Sequence, residues 1–562
     1  MSVPTAEPTT SVPPDDEGGA ARRRPPSWLT GGRVYLWLGL VALAIAGLSL
    51  LIPSTPSYDP WAWLVWGREI LHGTLHTPGG PTWKPLPVIF TTVLALFGGA
   101  QPNLWLVVAR AGALVAALMT FKLAARLTWW LRETVAAEGD RLSGLAPALL
   151  AGAIAMIGLV FHGAFITDNA LGYSEGLATA ALLIAVERHV DGHRHQAFAL
   201  GFVAALDRPE IWLFWGPYGL WLMWKDPSSR KLVISLAVLT LVLWFVPQKW
   251  GGGSFTSGVS RAQQPRSNSA AFASCPFCTE LADHAWPLVM DRIKVAALLL
   301  IGAAAVLLAQ AWRRRVGGIR FRPTSRRDRA LVVLAVCGLF GFIWWILIAL
   351  ETQAGFSGND RYLVIGSAFI DVAGGAGFGW AALELAALLR RHLPASRDRL
   401  RPPRMLAATT VLAAAVFLVA PNWIGRGVIS VSRTHRALVY QATLRKDLVA
   451  LINRAGGAGR LKACGAGHVM VEGFQVPMVA WYFDSRTLNI EDQPPAIDAP
   501  APWPNVIFQD RDTGSSALLP LPQTVIDWEH DGAHYTFVRT KEMYFFEDCA
   551  AQRNDPTQRY SS

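Results

Sequence analysis

Several ionisable side chains stand where apolar runs begin or end in this chain, and their types suit acid–base and anion-binding chemistry. Asp59 lies in Ser57-Tyr-Asp-Pro-Trp, shortly after a first apolar run, Val34–Ile52. Lys84 lies in Thr82-Trp-Lys-Pro-Leu-Pro and Asp168 in Phe165-Ile-Thr-Asp-Asn. Arg208 belongs to Asp207-Arg-Pro-Glu210, and Arg361 and Tyr362 to Gly358-Asn-Asp-Arg-Tyr. A carboxylate beside a substrate hydroxyl can take its proton. Lys, Arg and Tyr can hold a phosphate and stabilise charge that builds on it. Plainer roles compete. Asp59 before Pro60 suits the N-cap of a helix over 60–72. Lys84 suits a snorkelling anchor. Asp168 suits a cap for the next helix, with Glu175 in its first turns.

The elements that must position these residues are membrane spans. Of 562 residues 52% are hydrophobic, and most fall in blocks of roughly 17 to 25 residues, the length a helix needs to cross the hydrocarbon core. A net charge of +11 could point to nucleic acid, but the excess Arg sits in short segments between apolar blocks, as cytoplasmic loops require. No nucleic-acid partner is expected. Residues 1–32 read as a disordered cytoplasmic tail. The run that follows Arg22, Arg23, Arg24 and Arg33 has no cleavage site after it and reads as an anchor.

About eleven spans are expected: 34–52, 104–125, 145–162, 172–187, 196–206, 211–224, 231–247, 293–311, 330–350, 363–389 and 405–424. Leu86–Phe97 is too short to cross and is opened by Pro85 and Pro87, so it reads as interfacial or half-inserted. That choice puts the N-terminus and the loops 126–144, 188–195, 225–230, 312–329 and 390–404 inside. Loop 312–329 holds eight Arg and one Asp, and 390–404 six Arg and one Asp. Segments 53–103, 163–171, 207–210, 248–291, 351–362 and 425–562 then fall outside. In the helix after Asp59, Trp63, Trp66 and Ile70 share a face suited to lying on the membrane.

The tail 425–562 has no spanning run. A helical stretch near Thr434–Ala455, a strand near Leu461–Cys464 and β-prone pieces at Asn505–Phe508 and Tyr535–Val538 suggest a small outward α/β domain. Cys275, Cys278, Cys464 and Cys549 all lie on the outward side, as two disulfides would. The Cys-Pro-Phe-Cys pair also fits a redox or metal site, but no second such pair accompanies it. His189, His193 and His195 fall on the inner side beside Arg188 and Arg194 and read as a solvated loop. No glycine-rich nucleotide loop is present, which argues against a nucleotide-sugar donor or ATP.

The order of these features resembles the GT-C superfamily of membrane glycosyltransferases. It runs through a first span, an acid, an amphipathic helix, Lys-Pro before a weak helix, Phe-Gly, and a span holding Arg110. It is closest to the branch of protein O-mannosyltransferases and lipid A aminoarabinose transferases. That branch has Lys-Pro-Pro-Leu where this chain has Lys84-Pro85-Leu86-Pro87, and an acid after the first one where this chain has Pro60. The motif order covers roughly 34–220. The resemblance implies a GT-C-like transmembrane bundle with a C-terminal extracytoplasmic α/β domain. It also implies a second acid at the outer end of the third span, where Asp168 stands.

The implied activity is inverting, metal-independent transfer of a sugar from a polyprenyl-phosphate donor to a glycan, lipid or protein acceptor. Asp59 is the expected base, and Asp168 would orient the acceptor or Asp59. Lys84, Arg361 and Tyr362, with Arg208 less directly, are the expected phosphate contacts, and no metal or cofactor is expected. The alternative of another class is a transporter or flippase of a lipid-linked saccharide, which paired halves with broken midplane helices would favour. A third is an inactive scaffold whose outer domain binds. The expected parts are a tail 1–32, a transmembrane module 33–424 and a soluble domain 425–562 in a multi-pass cell-membrane protein.

Overall fold

The computed structural model describes residues 33–132, 145–265, 269–314, 325–392, 402–420, 429–464, 469–491, 504–511, 522–530 and 533–549. The tail 1–32 and much of the Arg-rich loops 126–144, 312–329 and 390–404 lie outside the described residues.

Helices occupy each expected span. The first part runs α1 Arg33–Leu48, α2 Tyr58–Leu71, α3 Pro85–Leu94, α4 Gln101–Leu131, α5 Leu145–Val160, α6 Gly163–Ala170 and α7 Glu175–Val190. It continues with α8 Arg194–Ala205, α9 Trp212–Lys225, α10 Arg230–Gly252, α11 Asp291–Arg314, α12 Arg326–Gln353, α13 Asp360–His392 and α14 Pro402–Val419. Among the described residues, six helical stretches are long and apolar enough to cross by themselves, and a seventh counts if α6 and α7, bent by 116°, form one broken span. The chain is a multi-pass membrane protein.

One of the six stretches, Pro85–Leu131, is not a single straight crossing. Gly98 takes φ 52°, a left-handed conformation that glycine tolerates, and the chain reverses there. The Gln101 side chain reaches back to donate to the Thr91 carbonyl at 2.9 Å. A straight helix would separate the two residues by about 15 Å. Helix α3 therefore stands as a ten-residue arm, roughly 15 Å long, folded against α2 and α4.

Helix α13 is the axis of the bundle and is buried along most of its 33 residues. Its glycines let neighbours approach closely. A Cβ on Gly375 would lie 2.4 Å from the Ala151 carbonyl of α5, and one on Gly374 would lie 2.3 Å from the Ile293 carbonyl of α11. On α12, Gly341 meets the Gly366 carbonyl of α13 at 2.5 Å in the same sense.

The C-terminal part is a small α/β unit: α15 Val431–Arg454, α16 Ala458–Ala463, β1 Val469–Val471, α17 Val476–Tyr482, β2 Ile490–Glu491, β3 Val506–Asp510, α18 Pro522–His530, β4 Thr536–Arg539 and β5 Met543–Glu547. The sheet order is β2-β1-β3-β5-β4, parallel on the β2 side and antiparallel on the β4 side. The expected strand at Leu461–Cys464 is instead the end of α16. Four apolar residues carry too little periodicity to separate the two forms. Cys464 and Cys549 are bonded, as are Cys275 and Cys278.

Two other readings change. Trp63 and Trp66 do not lie on lipid: both are buried, against Trp105 and Tyr173 and against Trp83. His189 is no solvated loop residue: its Nδ1 lies 2.8 Å from the Tyr218 hydroxyl, and its ring packs on Trp221.

Candidate active site

The ionisable residues singled out above converge at the end of the bundle that carries the C-terminal domain. Short helices and corners bring them there. Asp59 lies in the first turn of α2, where Ser57 occupies the N-cap position, so Asp59 is not the cap. The Ser57 amide donates to the Leu171 carbonyl at 2.9 Å, which ties the start of α2 to the corner after α6. That corner is built on Asn169, which donates to the Phe165 carbonyl and accepts from the Gly176 amide. Arg110 clasps it from α4, donating to the Ala170 carbonyl at 2.7 Å. The span arginine is therefore a brace for the site.

Lys84 precedes Pro85, the favoured first residue of a helix, and its extended backbone turns the side chain inward. Its Nζ donates to Glu175 Oε1 at 2.8 Å, sits 3.9 Å from Asp207 Oδ1 and lies 5.5 Å over the Trp63 ring. The Leu86 amide donates to the Leu206 carbonyl at 3.0 Å, which fastens this arm beside the Asp207 corner. Ser174 donates to Asp207 Oδ1 at 2.6 Å. Lys84 is buried and so is no snorkelling anchor. Burial opposes its charge, but the Asp207 and Glu175 carboxylates outweigh burial and hold Lys84 above its usual range. Burial pushes Asp207 above the usual carboxylate range, although Lys84 draws it down.

Arg361, at the start of α13, joins the groups. Its Nη2 donates to Asp59 Oδ2 at 2.7 Å, and its Nε lies 3.8 Å from Glu175 Oε1. Its guanidinium sits 4.2 Å over the Tyr173 ring and 3.4 Å from the Tyr362 hydroxyl. Arg208 also packs on Tyr362, 3.9 Å from the ring centre, and is bonded to Glu210. Asp168, in α6, is half-buried and forms no ion pair among the described residues. Burial pushes its carboxyl up to about 7; Arg361 pulls it down, and Glu175, Asp360 and Asp59 add to the rise. Near neutrality it can give or take a proton.

The arrangement holds three cations, Lys84, Arg208 and Arg361, against the carboxylates of Asp59, Glu175, Asp207 and Glu210. An entering anion must therefore compete with a carboxylate for a cation. Glu175 is the residue that sequence reasoning passed over. It looked like a first-turn acid of α7, yet it is almost fully buried and links Lys84 to Arg361. Its signal was present, since it opens an apolar run on the same side as Asp168.

No family model and no curated protein matches the chain. Among solved structures it is similar to ArnT from Cupriavidus metallidurans bound to undecaprenyl phosphate, at 12% identity and a TM-score of 0.44, over 92% of this chain and 98% of that one. It is likewise similar to ArnT from the same organism in the apo state, at 11% identity and a TM-score of 0.45, over 91% and 97%.

Proposed function

We propose that this protein is a glycosyltransferase that moves a sugar from a polyprenyl-phosphate donor to an extracytoplasmic acceptor. The observation that carries the reading is the Arg361 bridge: one guanidinium holds the Asp59 carboxylate and faces the Tyr362 hydroxyl, beside Arg208 and Lys84. A donor phosphate drawn to Arg361, Arg208, Tyr362 and the remaining Lys84 protons would displace Asp59 from Arg361. Asp59 is then released as base only when the donor is seated. It takes the acceptor hydroxyl proton as that oxygen bonds to the anomeric carbon. The anomeric carbon–phosphate oxygen bond breaks, and its electron pair leaves on the phosphate, where the cations stabilise it. One displacement inverts the anomeric configuration. Asp168 orients the acceptor or Asp59. The proposed arrangement has the N-terminus inside, the soluble domain 425–562 outside, and the transmembrane module over 33–424.

The test is transfer of labelled sugar from a polyprenyl phosphate by purified protein. Asp59→Asn removes the base but keeps the side-chain volume and one acceptor oxygen for Arg361. It should lower transfer by roughly 10²–10⁴ with the fold intact. Near-normal transfer would remove Asp59 as base and leave Asp168 as the next candidate. Transbilayer movement of the donor without acceptor, with no transfer, would favour a flippase.

A further inference from the structure

We infer that the C-terminal domain is a positioning part of this site, with Arg68 as the residue through which it holds Asp59; the inference rests on the reading of the site just proposed. Helix α2 has only 14 residues, about 21 Å, and a helix that short is marginal without tertiary support. Its two faces meet different bodies. Asp59, Trp63 and Trp66 stand at i, i+4 and i+7 and face the bundle. Trp61 and Arg68, seven residues apart, share a second face and meet the domain.

Arg68 spends its whole guanidinium on the end of α17. Nη1 donates to the Trp481 carbonyl at 2.9 Å, Nη2 to the Ser485 carbonyl at 3.1 Å, and Nε lies 3.1 Å from Asp484 Oδ1. Asp484 is the one non-glycine residue with positive φ, 47°, among the described residues. That left-handed turn falls between the two carbonyls that Arg68 takes, so the domain bends its chain at the point where it grips α2. The Trp61 ring packs at 5.5 Å on Trp481 and 5.8 Å on Tyr482. Arg445 closes the contact: it lies over Trp61 and donates to the Tyr482 hydroxyl at 2.8 Å and to Asn103 at 3.1 Å.

A second line of bonds starts from the same corner. Trp481 Nε1 donates to Gln101 Oε1 at 2.8 Å. Gln101 Nε2 in turn donates to the Leu64 carbonyl of α2 at 3.1 Å and the Thr91 carbonyl of α3 at 2.9 Å. One domain residue thus reaches both short elements that lead to Asp59 and Lys84. Of the proposed donor contacts, Arg208, Arg361 and Tyr362 belong to other elements, and Lys84 is held in place by Glu175 and Asp207, not by Arg68. Loosening the grip should misplace the base and leave donor binding in place. A displacement of about 1 Å at a reacting group lowers a rate by up to roughly 10²-fold.

The experiment compares full-length wild type, Arg68→Lys and Arg68→Ala in nanodiscs, by transfer kinetics and by amide hydrogen exchange. Arg68→Ala should lower kcat about 10-fold or more while the donor KM stays within about twofold. Arg68→Lys, which keeps the Asp484 pair and loses carbonyl bonds, should fall between. Amides of α2 should exchange faster in Arg68→Ala while those of α13 keep their protection. Unchanged kcat per folded molecule would overturn the inference. Equal loss of protection in α2 and α13, the mark of general destabilisation, would overturn it too. Failure of the functional reading looks different: wild type would transfer no sugar from any polyprenyl phosphate. The exchange comparison would still decide whether Arg68 holds α2.

Discussion

Replacing Lys84 with Ala should damage the fold before it damages the chemistry, and the size of the effect follows from its partners. Glu175 and Asp207 are almost fully buried, with Lys84 Nζ 2.8 Å and 3.9 Å away. Deleting one member of a buried pair costs roughly 3–5 kcal/mol, because the other charge stays behind. A ceiling comes from protonation. An abandoned Glu175 with an ordinary carboxylate pKa of about 4.3 can take a proton at pH 7 for about 4 kcal/mol, and at pH 5 for about 1 kcal/mol. Arg361, 3.8 Å from Glu175, softens the penalty. The expected loss is therefore about 2–4 kcal/mol at pH 7 and about 1 kcal/mol at pH 5. Adding Glu175→Gln should recover part of it. Thermal unfolding of wild type, Lys84→Ala, Glu175→Gln and the double variant in one detergent, at both pH values, gives the full cycle. A Lys84→Ala loss that is the same at pH 5 and pH 7, or a double variant no better than Lys84→Ala, would refute the reasoning.

Three further outcomes are expected. Burial pushes the Glu69 carboxyl up to about 7, against the pull of the His76 amide, Arg68 and Arg486. A raised folded-state pKa contributes stability that is complete below about pH 4.5 and is lost as the pH rises through about 7. Glu69→Gln, which mimics the protonated acid, should therefore stabilise the fold by on the order of 2–3 kcal/mol at pH 8, read as a higher melting temperature, and have little effect at pH 4.5. At the opposite end of the bundle the buried Glu187 holds Lys122 at 2.6 Å, Arg126 at 2.7 Å and the Tyr35 hydroxyl at 2.5 Å. Glu187→Ala should destabilise by roughly 3–5 kcal/mol, read by the same unfolding assay. The Cys464–Cys549 bond spans 85 residues, so Cys549→Ser should destabilise the C-terminal domain by up to about 4–5 kcal/mol, read by limited proteolysis; mass mapping without reductant should recover the linked peptides.

Charge placement made much of the site legible. Asp59, Lys84, Arg208, Arg361 and Tyr362 could be collected because apolar run lengths and Arg-rich loops assign each to a side of the membrane. Pairing was not legible. Nothing in the sequence says that Lys84 meets Glu175, 91 residues away, or that Arg361 meets Asp59, 302 residues away. That depends on how helices pack around α13. The stripe of Trp63 and Trp66 was seen and given the wrong neighbour, because lipid and protein both accept an apolar face. The grip of Arg68 on Trp481 was invisible, since a carbonyl acceptor leaves no mark on residue type.

The same grip sets an order of events during synthesis. Trp481 follows Arg68 by 413 residues. At about 5–20 residues per second, α2 waits roughly 20–80 s for the partner that holds its second face. The first helices must therefore insert and persist through that interval with the site half built. A ribosome stall or a slow oxidation of Cys464 with Cys549 would lengthen the wait without harming the bundle. Newly made molecules would then be inserted and folded across the membrane before they are competent, and the last element to mature would set when activity begins.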